Sequence, residues 1–244
     1  MGPKKLVAYD QGLNQVSATK KECLGALRET YDGRRFRYAK AGGTHVIGGS
    51  TQAAAATSAH IAQIQSSGAV NAAGSINVSV YVGAAAVTAN YYDDGYLVMY
   101  GGAAGTAGLY YPIASHEASA AGSEIITVTL KEPLVAATLT TDYFSLFCNP
   151  WSGIVTGTDV AVCATGQAMA AATSGQYFWV QTGGFSVQLG GDTAAVGTLL
   201  TTGTDNGETL TYATNTAGNS PVLGHIYGTA AVSGYYTPII MELD

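Results

Sequence analysis

Four histidines, His45, His60, His116 and His225, are the side chains best suited to acid–base or metal chemistry near neutral pH. No two of them stand two or four positions apart, so spacing alone pairs none of them on a strand or a helix face. The run His116-Glu117-Ala118-Ser119-Ala120 opens like a zinc-protease helix but has alanine where the second histidine belongs. Ser17-Ala18-Thr19-Lys20 has the spacing of an acyl-transfer serine and its lysine, yet neither S-D-N nor K-T-G follows. The paired acids Asp93-Asp94 point apart as neighbours and lead into Gly95, which reads as a turn. Asp205-Asn206-Gly207-Glu208 offers oxygen ligands without the spaced acids and closing glutamate of a calcium loop. Glycines at 101, 102, 105 and 108 imitate a phosphate loop, but no helix and no Gly-Lys pair accompany them. Cys23, Cys148 and Cys163 are odd in number and lack C-x-x-C spacing, so they are expected to be small buried hydrophobes. No G-x-S-x-G elbow occurs. No nucleophile, base or oxyanion hole can be named, and the expectation is a chain that is not an enzyme and needs no metal or cofactor.

Charge is more telling by position than by sum. The net charge is −6, and charged residues are only 11% of the 244, against about 25% in an ordinary globular domain. Nine of the ten lysines and arginines lie within residues 1–40, where four acids leave a net +5. From residue 41 onward Lys131 is the single base against twelve acids. A basic front on an acidic body suggests docking onto an acidic surface, or wrapping of the arm around its own body or a neighbouring copy. Within that front, Arg35-Phe36-Arg37-Tyr38 alternates cation and aromatic. As a strand it turns Phe36 and Tyr38 to one side and Arg35 and Arg37 to the other. Such interleaving can grip single-stranded nucleic acid, but one short strip on an acidic chain argues against that partner. No apolar run approaches the roughly 18 residues of a membrane helix. The first residues carry lysines without the apolar stretch of a signal peptide, and Leu6 stands where a myristoylation motif wants Ser or Thr. The chain is expected to be made, and kept until assembly, in a cytoplasm.

The elements that must carry these residues read as β. Glycine numbers 32 of 244, and short β-prone runs recur about every ten residues between turn clusters, the pattern of sandwiches and barrels. Residues 1–24 read as an extended arm, and Asp32-Gly33 marks a hairpin. Residues 50–65 fit a short helix capped by Ser50 or Thr51, and equally a strand. Ile76, Val78, Val80 and Val82 share one strand face. Further strands are expected over residues 87–92, 96–100, 109–113, 125–130 and 143–148, with residues 152–174 as a connection between two β units. Beyond it, strands are expected over residues 196–202, 209–213, 222–227 and 238–243. Gly175 to Gly191 reads as a hairpin turning at Gly183-Gly184. Its inner face would pair Thr182 with Phe185, Val180 with Val187 and Phe178 with Leu189. The outer face, Tyr177, Trp179 and Gln181 opposite Ser186 and Gln188, suits contact with another subunit, or cover by a second sheet of the same chain. The expectation is a mainly β protein of sandwich or small barrel units with an extended N-terminal arm. Its parts would be a basic arm with a hairpin (1–48), a β-rich domain (49–151) and a C-terminal barrel or sandwich (152–244).

Several of these runs are familiar together. L-G-A-L-R-E-T-Y-D-G-R-R-F-R-Y-A-K-A-G, then A-N-Y-Y-D-D-G-Y-L-V, G-L-Y-Y-P-I-A-S-H, V-T-L-K-E-P-L and G-Q-Y-F-W-V-Q-T-G-G resemble, in that order, head decoration (cement) proteins of tailed bacteriophages of the cyanophage and marine-phage type. The resemblance is one of short strands over about four-fifths of the chain, with no catalytic signature. It implies a virion structural protein that braces the outside of an assembled capsid. The implied partners are the major capsid protein and further copies of itself, trimers being common, with no nucleic acid or membrane. Arg28, Arg34, Arg35, Phe36, Arg37, Tyr38 and Lys40 are then the expected shell contacts. Tyr177, Trp179, Gln181 and Gln188 are the expected oligomer contacts. A tail fibre or baseplate receptor-binding component is the alternative, weakened by the lack of a repeat at fixed period. A carbohydrate-active enzyme is weaker still, for want of a readable carboxylate pair.

Overall fold

Strands supply almost all the regular structure of this computed structural model, which describes residues 9–61, 64–65, 70–101, 107–120, 124–158, 163–203, 207–212 and 221–244. In chain order they are β1 (Leu27–Glu29), β2 (Arg35–Lys40), β3 (Ser50–Gln52), β4 (Ile64–Gln65), β5 (Asn77–Val82), β6 (Tyr96–Gly101), β7 (Tyr110–His116) and β8 (Glu124–Leu130). There follow β9 (Tyr143–Phe147), β10 (Val155–Thr156), β11 (Ala164–Ala168), β12 (Tyr177–Leu189), β13 (Leu199–Thr202), β14 (Thr209–Thr211), β15 (Val222–Ile226) and β16 (Tyr236–Glu242). Ser58–His60 forms one 3₁₀ turn. The mainly β expectation holds. No helix among the described residues is long and apolar enough to cross a membrane. Lys4, Lys5, Gly102, Gly105, Asp205, Asn206, Ala213 and most of the expected turn at 215–221 lie outside the described residues.

The chain divides into two units, Met1–Ala54 with Pro150–Asp244, and Ala55–Asn149. The divisions fall after Ala54 and before Pro150, where parts over 1–48, 49–151 and 152–244 were expected.

In the first unit a ten-stranded sheet runs β10-β3-β11-β12-β16-β15-β13-β14, with β2 pairing both β1 and β12. Its order is palindromic about the β12–β16 pair. The sheet curls until its ends meet: the Ser50 N–H donates to Gly207 O at 2.7 Å, and the Ser50 hydroxyl donates to Glu208 O. Each half repeats one device. His45 and Ala172 exchange backbone hydrogen bonds as an isolated bridge, as do Ala194 and Ala231. Three residues after each of the four stands a glycine in the left-handed region, Gly48, Gly175, Gly197 and Gly234, and a strand follows. Glycine enters that region without the Cβ clash other residues suffer. The middle strands β11 and β15 match too, each bulged at a glycine. A Cβ on Gly166 would strike the carbonyl of Gln181, and one on Gly224 that of Ile240. The first half holds residues 55–149 between β3 and β10, where the second has only the short link from β13 to β14.

Gly183-Gly184 is not a hairpin turn. Tyr177 to Leu189 is one 13-residue strand that changes partner there, pairing with β2 through Gly183 and with β16 from Gly183 onward. Gly184 takes φ +84°, and a Cβ on it would press against Arg34 and Gly33. A glycine bulge, which kinks a strand without ending it, has the same local signature as a turn. Consequently Phe185 and Val187 face outward, half exposed, instead of lining the core.

In the second unit the sheet order is β4-β9-β6-β7-β8-β5. Alternation puts Val78, Val80, Val82, Leu97, Met99, Ile113, Ile126, Val128, Phe144 and Leu146 into one apolar cluster. Ile76 precedes β5 and is exposed rather than on that face. The Asn71 amide accepts from Ser79 N–H at 2.9 Å and so occupies a backbone donor of β5. Val87 and Ser119 form the same isolated bridge, and Asn90, three residues on, holds φ +61° in the glycine's place. Residues 87–92 are thus a bridge and turn, not the expected strand. Of the two readings left open for 50–65, Ser50–Gln52 takes the strand, and 152–174, expected as a connection, contains β10 and β11.

Candidate functional site

The expected shell contacts lie on β1, β2 and the hairpin between them. Asp32-Gly33 makes that turn as expected: Thr30 N–H donates to Arg34 O at 2.9 Å, and Gly33 has φ +82°. Phe36 and Tyr38 are fully buried, Arg35 is exposed, and Arg37 and Lys40 are half-buried. The strand does have one greasy and one cationic side, but the greasy side is already covered. Tyr9, Leu13, Leu24, Ala26 and Met169 pack over Phe36, Tyr38 and Trp179. Phe36 and Tyr38 therefore have no surface for a shell protein.

The cations are also engaged. Arg28 donates to Gln11 O at 3.0 Å and lies over the rings of Tyr9 and Trp179 at 4.8 and 5.6 Å. Arg37 grips both carboxylate oxygens of Asp244 at 2.9 and 3.1 Å and donates to Gly25 O. That bidentate pair, then the Thr182 hydroxyl, holds the Asp244 carboxyl below its ordinary range. Arg34 pairs with Asp32 at 2.7 Å and flanks the Phe36 ring. Lys40 lies 5.9 Å from the Tyr177 ring centre. Of the expected contacts, Arg35 alone is classed as exposed. The alternative weighed from the charge pattern, an arm wrapped on its own body, describes residues 9–40.

The expected oligomer residues meet the same outcome. Trp179, Gln181 and Gln188 are buried by their own chain, and Tyr177 is half-buried. Over Tyr177 and Trp179 the cover is the segment from Tyr9 to Ala26 and not a second sheet, while Gln181 bonds Gly183 O, Phe185 O and Ser186. The hub of that segment is Gln11, which sequence reasoning missed. The Gln11 amide N–H donates to Gln15 O and Tyr177 O, and its Oε1 accepts from the Tyr38 hydroxyl at 2.7 Å. Its backbone carbonyl accepts from the Trp179 indole at 3.1 Å. A glutamine in a polar stretch shows no such role by itself; the apolar Tyr9, Leu13 and Leu24 around it are the only cue.

The groups weighed for catalysis do not converge. Among the described residues no three His, Cys, Asp or Glu side chains come together to hold a metal. His45 is buried, contacts Ile154 O through Nε2 at 3.0 Å, and burial lowers its pKa. His225 lies 3.4 Å from Glu242. His60 and His116 bracket Tyr92 inside the second unit. His60 Nε2 must donate to Ala85 O, so its Nδ1 accepts from the Tyr92 hydroxyl at 2.6 Å. His116 Nδ1 donates to Glu117 O, and its Nε2 accepts from Tyr92 N–H at 3.0 Å. Accepting that backbone N–H keeps the His116 ring neutral. Burial lowers the His116 pKa and raises that of Tyr92. All three side chains are buried, a packed structural cluster. Asp94 takes a left-handed turn position and pairs with Lys131. Cys23 and Cys163 are exposed, against expectation, while Cys148 is partly buried, which pushes its thiol pKa up.

One group of exposed aromatic side chains lies on the outer face of the second unit's sheet. Tyr96, Val98 and Tyr100 of β6, Tyr110 of β7, Ile125 of β8 and Tyr143 of β9 alternate with core residues and point the other way. Tyr110 is 66% exposed, Tyr100 51%, Ile125 50% and Tyr143 37%. Tyr96 and Tyr110 meet edge to face at 6.0 Å. Strands β5 to β9 contain no lysine or arginine and a single carboxylate, Glu124 at the start of β8. An antiparallel sheet with one solvated face ordinarily carries charge there.

No protein-family model, no curated protein and no solved structure matches this chain.

Proposed function

We propose that this chain is a non-enzymatic decoration protein of a tailed-phage capsid, binding the outer shell and bracing it. On this reading its partners are the major capsid protein and further copies of itself, and its destination is the capsid surface after synthesis in the host cytoplasm. The observation that carries the reading is the uncharged, tyrosine-bearing sheet face of the second unit. Aromatic side chains grouped on the solvent side of a sheet are characteristic of a surface meant to be covered. Tyrosine supplies contact area with few rotamers to freeze. Two curled β units, stiff across their ladders, suit a brace that must hold geometry rather than turn over a substrate. The resemblance of the strand runs to cement proteins points the same way.

The test is direct. Phage heads made without the chain are incubated with the purified protein, and occupancy is counted by cryo-electron microscopy. Saturable binding to the head surface, with a higher temperature for DNA release, is the expected result. Binding at the tail tip would favour the receptor-binding alternative. Absence of binding to any part of the particle would overturn the proposal.

A further inference from the structure

We infer that attachment runs through the outer face of the second unit's sheet, around Tyr96, Val98, Tyr100, Tyr110 and Tyr143, and not through the arginine strip. The inference rests on the decoration reading and names the surface that reading requires. Its occupant is the exterior of the shell protein, at a patch without net charge that offers apolar and hydroxyl groups.

Charge sets that choice. The unit from Ala55 to Asn149 has six acids and Lys131 as its single base. Its surface field is therefore negative, and it would hold an acidic shell at a distance. Were the partner patch basic, the acids would be expected on the contacting face. Instead Asp94 is paired with Lys131, and Glu124 stands at the strand end. A charged patch pressed onto this face would lose water and gain no counter-charge, which is a net cost. An uncharged patch pays no such penalty, and the tyrosine hydroxyls keep hydrogen-bonding options at the rim. The strip, by contrast, has spent most of its chemistry internally, with Arg28 on Gln11 and two rings, Arg37 on Asp244 and Arg34 on Asp32, and leaves Arg35 exposed.

The two surfaces make opposite predictions about salt. Attachment through charge weakens steeply as ions screen it, while attachment through an uncharged face does not. Three proteins are compared on heads lacking the chain: wild type, Tyr100→Thr/Tyr110→Thr/Tyr143→Thr, and Arg34→Glu/Arg35→Glu. Threonine keeps strand propensity, and an unchanged thermal melt certifies the fold. Should the triple variant melt early, single Tyr110→Thr and Tyr143→Thr take its place. Removing the rings is expected to lower apparent affinity at least about tenfold, as loss of buried aromatic anchors does. The arginine variant should stay within about twofold of wild type, as should wild type between roughly 0.05 and 0.5 M salt. Native-like tyrosine variants that bind as wild type does would overturn the inference. So would steep salt dependence, or self-association through this face with capsid occupancy unchanged. Failure of the wild type itself to bind would instead remove the decoration reading beneath it.

Discussion

The two units solve the same problem of curling a sheet around a core with different materials. The unit from Ala55 to Asn149 fills its interior with one continuous cluster, Val78 to Leu146, dominated by Val, Ile, Leu, Met and aromatics. The other unit divides its apolar interior into small clusters, around Phe178 and Val180, around Ile239 and Met241, and around Trp179. It also buries Ser50, Thr51, Thr165, Gln167, Thr182, Ser186, Thr201 and Thr202. These find partners in pairs and networks: Thr51 with Thr165 at 2.8 Å, and Ser186 with Gln167 and Gln181. A single apolar core draws stability from volume, and its strands need only alternate. A core of small clusters and hydroxyls depends on backbone geometry and on each polar partner being in place. The first should fail by losing bulk, the second by losing shape.

The largest expected effect breaks the segmented unit at its aromatic anchor. Trp179→Ala removes the ring on which Tyr9 and Arg28 pack, and the donor to Gln11. A loss of about 3–5 kcal/mol is expected for such a truncation, read in denaturant as an earlier first transition. The segment from Tyr9 to Ala26 should come loose with it, giving rapid tryptic cleavage at Lys20 and Lys21. The Ala55–Asn149 transition should not move. If it does, the two units unfold as one, and the contrast between them has no thermodynamic meaning.

Next come the matched glycines. Gly166→Ala and Gly224→Ala each push a methyl into a carbonyl of the adjacent strand, Gln181 O and Ile240 O. Backbone cannot swing aside as a side chain can, so each should cost about 3 kcal/mol, the upper end for overpacking. Equal costs at the two sites, measured by thermal melts, would support two equivalent halves around the β12–β16 pair. A negligible cost at one site would show that the halves only share a strand order.

These glycines show how far the sequence could be read. Alternation was legible where the interior is apolar: Val78, Val80 and Val82, or Phe36 and Tyr38 against Arg35 and Arg37, give both strand and face. It failed at Ser50-Thr51-Gln52, because a strand whose buried positions are hydroxyls looks like a loop or a helix cap. Gly183-Gly184 was ambiguous in principle, since two adjacent glycines serve a hairpin and a bulge alike. Only the partners, β2 and then β16, decide between them, and those are distant in sequence. The bridge residue and the left-handed residue three positions on recur at 45, 87, 172, 194 and 231. Their spacing is irregular, because insertions of different length separate them, so a search for a fixed period passes over them. The candidate site was legible in its cations and invisible in its tyrosines. Charges announce themselves singly, whereas Tyr100, Tyr110 and Tyr143 become one surface only when three strands are laid side by side.

Acid sharpens the comparison with a smaller effect. His116 in one unit and His45 in the other are both held neutral by burial, with pKa values below the ordinary 6.5. Above that value neither folded nor unfolded chain carries the proton. As pH falls below it the unfolded chain binds the proton first, so stability declines until the folded pKa is reached. For His116, Asp93 favours the charged form and His60 opposes it. Glutamine can offer an N–H to Glu117 O and an oxygen to Tyr92 N–H. His116→Gln should therefore flatten the decline of the Ala55–Asn149 transition as pH falls below 6.5 and leave the other transition's decline in place. The latter should steepen again near and below 3.8, as Asp244 protonates and releases Arg37. Calorimetry across pH reads both, and an unaltered slope in the variant would remove His116 from the account.

The smallest effect runs in the opposite direction. Gln188 is wholly buried on β12, and neither its amide nitrogen nor its oxygen has a hydrogen-bond partner in the chain. Its neighbours Ser186 and Gln167 spend their own groups on each other and on the Val187 carbonyl. Burying an unpaired amide costs about 1–3 kcal/mol. Methionine has nearly the same length and no such requirement, so Gln188→Met should raise stability by about 1 kcal/mol, seen as a higher midpoint with an unchanged slope. A fall would mean that the amide is bound to something that compensates it. A rise would place Gln188 as the point where the polar interior of this unit exceeds its own pairing capacity, a conflict with no counterpart among the described residues of the other unit.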